Sequence, residues 1–208
     1  MRKFSRLLAT LAIPLAVDSG WQPLKYKRYA PSECRPEDGA IHMKLKNSSC
    51  ALFYPLPSMT HVTGFELKAT LKGALKPMKD RFPLDAYLRV GLLAQGERRL
   101  KWAEKQKTAE WVRKLFQFMP KDSGFDKVYF FNTIDRHDAM LAERSTPDSY
   151  DLLWEKNIAL REPNQESLNI RYELPKPMDI LGVWLGADGD DSRSTFEVDV
   201  HTLDLNAD

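Results

Sequence analysis

Residues 65–72 read Phe-Glu-Leu-Lys-Ala-Thr-Leu-Lys, so that Phe65, Leu67, Ala69 and Leu71 alternate with Glu66, Lys68, Thr70 and Lys72. Successive side chains of a β-strand point to opposite faces, and this period of two puts every apolar residue on one side. A helix would scatter the same residues around its circumference. The segment therefore predicts a strand with one face in a core and one in water.

The same pattern recurs on either side. Ile41, Met43 and Leu45 alternate with His42, Lys44 and Lys46, and Phe196, Val198 and Val200 oppose Glu197, Asp199 and His201. Leu84, Ala86, Leu88, Val90 and Leu92 oppose Asp85, Tyr87, Arg89, Gly91 and Leu93. Turn dipeptides punctuate the strands at Asp38-Gly39, Gln95-Gly96 and Asp188-Gly189. Residues 128–131 are apolar on both faces, as a central strand covered on both sides would be. Just before them, Ala109, Val112, Leu115, Phe116 and Met119 recur at helical spacing, which predicts one amphipathic helix over 108–119, stopped by Pro120. Many strands and one helix predict a mostly β fold, a two-sheet jelly-roll sandwich with the helix packed over the central strand.

The N-terminus carries the three parts of an export signal. Arg2, Lys3 and Arg6 precede an apolar stretch at 7–17, and Val17-Asp18-Ser19 offers small residues for cleavage. About 11 residues fall well short of the ~20 a membrane-crossing helix needs. The expectation is a signal peptide at 1–19 and one domain over 20–208, exported to the periplasm or secreted, with no transmembrane segment after cleavage. Its removal deletes three basic and one acidic side chain from the 31 and 29 of the whole chain, leaving 28 of each. A neutral domain offers no basic face for phosphates, which argues against nucleic acid as a partner. In an oxidising compartment the two cysteines, Cys34 and Cys50, are expected to pair, the alternative being two unpaired buried thiols.

The closing segment, residues 180–192 (Ile-Leu-Gly-Val-Trp-Leu-Gly-Ala-Asp-Gly-Asp-Asp-Ser) followed by 196–205, is an apolar strand, an acidic turn and a last strand. With this layout the chain resembles secreted bacterial jelly-roll domains of the galactose-binding or carbohydrate-binding-module type, and a related family of secreted domains of unknown function. In that family an early Gly-initiated strand, an Arg-bearing strand (here 85–93), a Tyr/Phe-rich strand (here 129–132) and the acidic turn follow in this order. The resemblance implies a fold and leaves activity open.

Three constellations could carry chemistry. Asp188, Asp190 and Asp191 lie on a Gly-permitted turn and could offer oxygens to a structural calcium ion, no other cofactor being required; a solvated hairpin turn is the alternative. Asn132, Asp135, Arg136, His137, Asp138, Glu143, Arg144 and Tyr150 hold the ingredients of a lyase or hydrolase: carboxylates, a His or Tyr base, and an Arg to neutralise a uronate. Residues 129–132 resemble a strand of jelly-roll polysaccharide lyases, but the early Arg motif and Gln-x-His strand of those enzymes are absent. For sugar recognition, Tyr87, Trp102, Trp154 and Trp184 supply rings, with Gly182 and Gly186 leaving room beside Trp184, and Asn169, Arg171 and Glu173 form a polar strand face. Core packing is the competing role for each ring. Gly-x-Ser-x-Gly, phosphate-loop, dinucleotide and zinc patterns are missing, and His42, His61, His137 and His201 are scattered.

The leading expectation is an exported, non-catalytic binding protein for a glycan or cell-envelope ligand. The alternatives are a polysaccharide-cleaving enzyme using Asp135, Arg136, His137, Glu143 and Tyr150, and an envelope domain that meets another protein.

Overall fold

The computed structural model describes residues 9–24, 32–77, 85–99, 110–119, 123–136, 143–146 and 152–207. Within them the chain is mostly β, as the alternation predicts. The strands are β1 (Ala9–Ala12), β2 (Gln22–Leu24), β3 (Glu33–Glu37), β4 (Ala40–Lys46), β5 (Ser49–Ala74), β6 (Ala86–Gly96), β7 (Gly124–Asp135), β8 (Glu143–Thr146), β9 (Leu153–Arg161), β10 (Ser167–Asp188) and β11 (Thr195–Ala207). Among the described residues one helix, α1 (Glu110–Phe118), precedes β7; positions 108 and 109 of the expected 108–119 lie outside the described residues.

Strand order runs β3-β4-β11-β5-β10-β6-β7-β9-β8, with β1 on β11 and β2 on β5. Two strands are much longer than the rest: β5 has 26 residues and β10 has 22, and they pair antiparallel from Ser49↔Asp188 to Thr70↔Ser167. Their ladder breaks register between Glu173 and Met178 and again between Ile180 and Gly182. Pro55 and Pro57 on β5 and Pro175 and Pro177 on β10 fall in this region, where a missing N–H cannot sustain a ladder. Register breaks bend a strand and let it pass from one layer to the next. Residues 62–74 of β5 and 167–173 of β10 belong to a first sheet with β11, β4 and β3. Residues 49–55 and 182–188 belong to a second, with β2, β6, β7, β9 and β8. The sandwich is thus one bent ribbon with strands added on both sides.

Between the sheets, Ile41, Met43, Leu45, Leu67, Leu71, Val198 and Val200 meet Leu88, Val90, Leu92, Phe131, Val183 and Leu185. The first sheet turns its polar residues to water, as read from residues 65–72. The second sheet has no such wet face over its centre. Its outer side carries Phe53, Leu93, Val128, Phe130 and Trp184, covered by Val112 and Leu115 of α1. The double-sided burial of residues 128–131 accordingly follows from a central strand, β7, under a helix. It also corrects the reading of β6, where Tyr87 and Leu93 face protein instead of water.

Of the apolar stretch expected as a signal core, the described residues from 9 onward run along the sandwich, with Leu11 and Val17 exposed. Ala9–Ala12 pairs with residues 204–207 of β11, and the Ile13 N–H donates to the Leu203 carbonyl at 2.8 Å. Ile13 and Leu15 are buried, and the Trp21 indole N–H donates to the Pro14 carbonyl at 2.8 Å. Among the described residues no helix is long and apolar enough to cross a membrane.

Candidate functional site

The outer face of the second sheet holds a pocket of about 190 Å³ beside α1. Its apolar wall follows from strand register. Gly91 of β6 lies opposite Phe130 of β7 on one side and Trp184 of β10 on the other. A Cβ at Gly91 would fall 2.8 Å from both the Phe130 ring and the Trp184 Cβ. A glycine in mid-strand therefore lets these two rings meet above it, 5.3 Å apart and nearly perpendicular. Trp111 of α1 completes the corner, edge-to-face with Trp184 at 5.7 Å.

The opposite side is polar. Arg89, two residues before Gly91, reaches Asp188 at the end of β10, with Nη1 to Oδ2 at 3.2 Å. The buried Glu155 of β9 lines the same space, as do Gly186 of β10 and Ser49 and Cys50 of β5. Asp188 Oδ1 is buried without a hydrogen-bond donor, as is the side-chain oxygen of Asn132, which sits opposite Arg89 in the ladder. Burial pushes the Asp188 carboxyl well above the usual carboxylate range, and Asp190 and Asp85 nearby push the same way against the pull of Arg89.

Asp188 also joins the turn. Oxygens of Asp85, Asp188 and Asp190 lie within 4.8 Å of one another. Asp85 accepts the Ser192 N–H at 2.7 Å and the Asp191 N–H at 3.3 Å, so it holds the turn in place. The cluster expected from sequence was Asp188, Asp190 and Asp191. The structure puts the distant Asp85 in it and leaves the Asp191 side chain exposed, because the backbone of that residue, and not its carboxylate, turns inward to Asp85.

The remaining expected site residues disperse. Tyr87 is no ligand surface: it is fully buried, its hydroxyl donating to Asp135 and accepting from the Leu75 N–H at 2.8 Å and from Arg161 at 2.7 Å. Desolvation, with Asp135 second, raises its pKa to about 12. Trp154 packs between Tyr129 and Phe131 on the inner side of the second sheet. Asn169, Arg171 and Glu173 are exposed on the first sheet, Arg171 pairing with Glu66 at 3.3 Å. Gly182 leaves no room beside Trp184, since the Phe53 ring occupies it at 2.2 Å from where a Cβ would be. Of the enzyme set, Asp135 is buried in the Tyr87 network and Arg136 pairs with Glu162 at the surface. Trp102, His137, Asp138 and Tyr150, and the Glu143 and Arg144 side chains, lie outside the described residues. Cys34 is a half-buried thiol and Cys50 a buried one. Sequence reasoning placed Trp184 in the site but missed Arg89, Gly91, Trp111 and Glu155; a glycine interrupting a strong strand pattern was the available signal.

No family model and no curated protein matches this chain. Among solved structures it is similar to a point mutant of a carbohydrate binding module of family 29, with 7% identity and a TM-score of 0.36, over 95% of this chain and 92% of that one. At that identity and score the likeness says nothing about a ligand.

Proposed function

We propose that the pocket lined by Trp184, Trp111, Phe130, Arg89, Glu155 and Asp188 binds one ring of a glycan or a similar polyhydroxylated envelope ligand, without cleaving it. The observation that carries this reading is the pairing of an aromatic corner with a buried acceptor, Asp188 Oδ1, that lacks a donor. A sugar ring presents apolar C–H groups to the corner and hydroxyl donors to the carboxylates, and a neutral donor satisfies a buried acceptor at least cost. The space is smaller than the 300–1,000 Å³ of drug-sized sites, which favours a single ring or chain end over an extended chain. The envelope as the place of action rests on the N-terminal pattern alone.

The test is titration of the whole chain with a panel of mono- and oligosaccharides, followed by tryptophan fluorescence and by assay of new reducing or unsaturated ends. The expected result is saturable binding with no new ends, weakened at least tenfold by Trp111→Ala or Arg89→Gln in protein that keeps its fold. New ends would make the protein an enzyme. Binding that ignores both substitutions, or no binding at all, would remove this pocket from the function.

A further inference from the structure

The two thiols belong to different layers of the sandwich. Cys34 lies on β3, the edge of the first sheet, opposite Met43 of β4. Cys50 lies in the part of β5 that belongs to the second sheet, opposite Ala187 of β10. Both side chains face the inter-sheet core, Cys50 buried and Cys34 partly exposed against the same cluster. The Ser32 hydroxyl donates to the Ser49 carbonyl at 3.3 Å, tying the two segments together one residue from Cys50 and two from Cys34. The Cys50 side chain is hydrogen-bonded to the Cys34 thiol and, with burial, holds it well above the usual thiol range.

We infer that Cys34 and Cys50 are the two halves of an inter-sheet disulfide, formed by exchange with a small-molecule disulfide. The partly exposed Cys34 thiolate attacks one sulfur of the oxidant and releases one thiol, forming a mixed disulfide. The Cys50 thiolate then attacks the Cys34 sulfur and releases the second thiol. Two protein thiols and one small disulfide thus become one protein disulfide and two small thiols. The raised Cys34 thiol keeps the first step slow at neutral pH and faster under alkaline conditions. Once formed, the bond closes a loop from β3 to β5 and fastens the edge of one sheet to the other at Cys50, itself one of the residues that line the pocket.

The experiment uses the full chain, purified reduced and incubated with oxidised glutathione at about pH 8.5. Intact mass should show the loss of two hydrogens with no glutathione attached, and both cysteines should resist alkylation in denaturant. Tm should rise by about 6–12 °C and return to its starting value with dithiothreitol. Cys50→Ser should instead retain one glutathione at Cys34 and show no such rise, as should the milder Cys50→Ala if serine disturbs the core. Alkylation of both thiols after oxidation, chain-to-chain crosslinking, or a lasting glutathione adduct on the unsubstituted protein would each overturn the pairing.

Discussion

Arg89 Nη1 lies 3.2 Å from Asp188 Oδ2 across the β6–β10 ladder, an ion pair that joins the pocket to the acidic turn. The pair does not fully offset the burial of Asp188, whose carboxyl is held well above 3.8. A carboxyl that titrates higher when folded binds its proton more tightly in the native state. Stability is therefore highest while it is protonated and falls as pH climbs past 3.8 toward the raised folded value. Asp188→Asn removes this slope, so the Tm of the variant minus that of the wild type should increase between about pH 4 and pH 8. Repeating the titration with millimolar calcium examines the expected cation: an ion shared by Asp85, Asp188 and Asp190 would raise the wild-type Tm and leave the variant unmoved.

Tyr87→Phe should destabilise the fold by about 3 kcal/mol, because Asp135, Arg161 and the Leu75 N–H lose a shared buried partner at once. Urea unfolding at pH 7 measures this. The tyrosine titrates near 10 when unfolded and at about 12 when folded, so the wild type should lose stability as pH rises from 10 toward 12. Phenylalanine has no proton to lose, and its variant should lack that alkaline decline.

Gly91→Ala should disturb the aromatic corner. The added methyl, 2.8 Å from the Phe130 ring and from the Trp184 Cβ, displaces these side chains at a cost of about 1–3 kcal/mol. Tryptophan emission should shift and sugar affinity fall together, whereas an unchanged spectrum would mean the corner absorbs the methyl elsewhere.

The N-terminal segment gives a fourth expectation. Ile13 and Leu15 are buried and β1 covers part of the β11 edge. Ile13→Ala and Leu15→Ala should each cost about 2–3 kcal/mol, and a chain starting at residue 20 should unfold at lower urea than the full chain. Equal midpoints would show that this strand adds nothing to the sandwich.

Local pattern carried the architecture. The alternation at 65–72, 41–45 and 196–200 needs only neighbouring residues to be read, and all three became strands with one wet face. The helix before β7 was legible for the same reason. Depth was less so: period two sets Tyr87 opposite Leu88, but the β6–β10 ladder shifts register beside it and Tyr87 packs into the inter-sheet core against Phe196. The site was hardest to read because it is made by register between distant strands. Nothing local to Arg89 or Gly91 announces Asp188 or Trp184 as neighbours, and Asp85 joins the acidic turn only through folding. Residues 9–17 show a different limit, since the pattern of an export signal does not reveal a short exposed edge strand, Ala9–Ala12, followed by buried Ile13 and Leu15.

The long β5–β10 ribbon also sets a timetable for the growing chain. The strand Ser49–Ala74 is made well before its partner Ser167–Asp188, and among the described residues the only ladder open to it until then is the three-residue one with Gln22–Leu24. At the usual 5–20 residues per second, the interval between the two strands lasts about 5–20 seconds. Throughout that wait Phe65, Leu67 and Leu71 line a strand without its neighbours, which is when this protein is most exposed to wrong pairing and has most need of a chaperone.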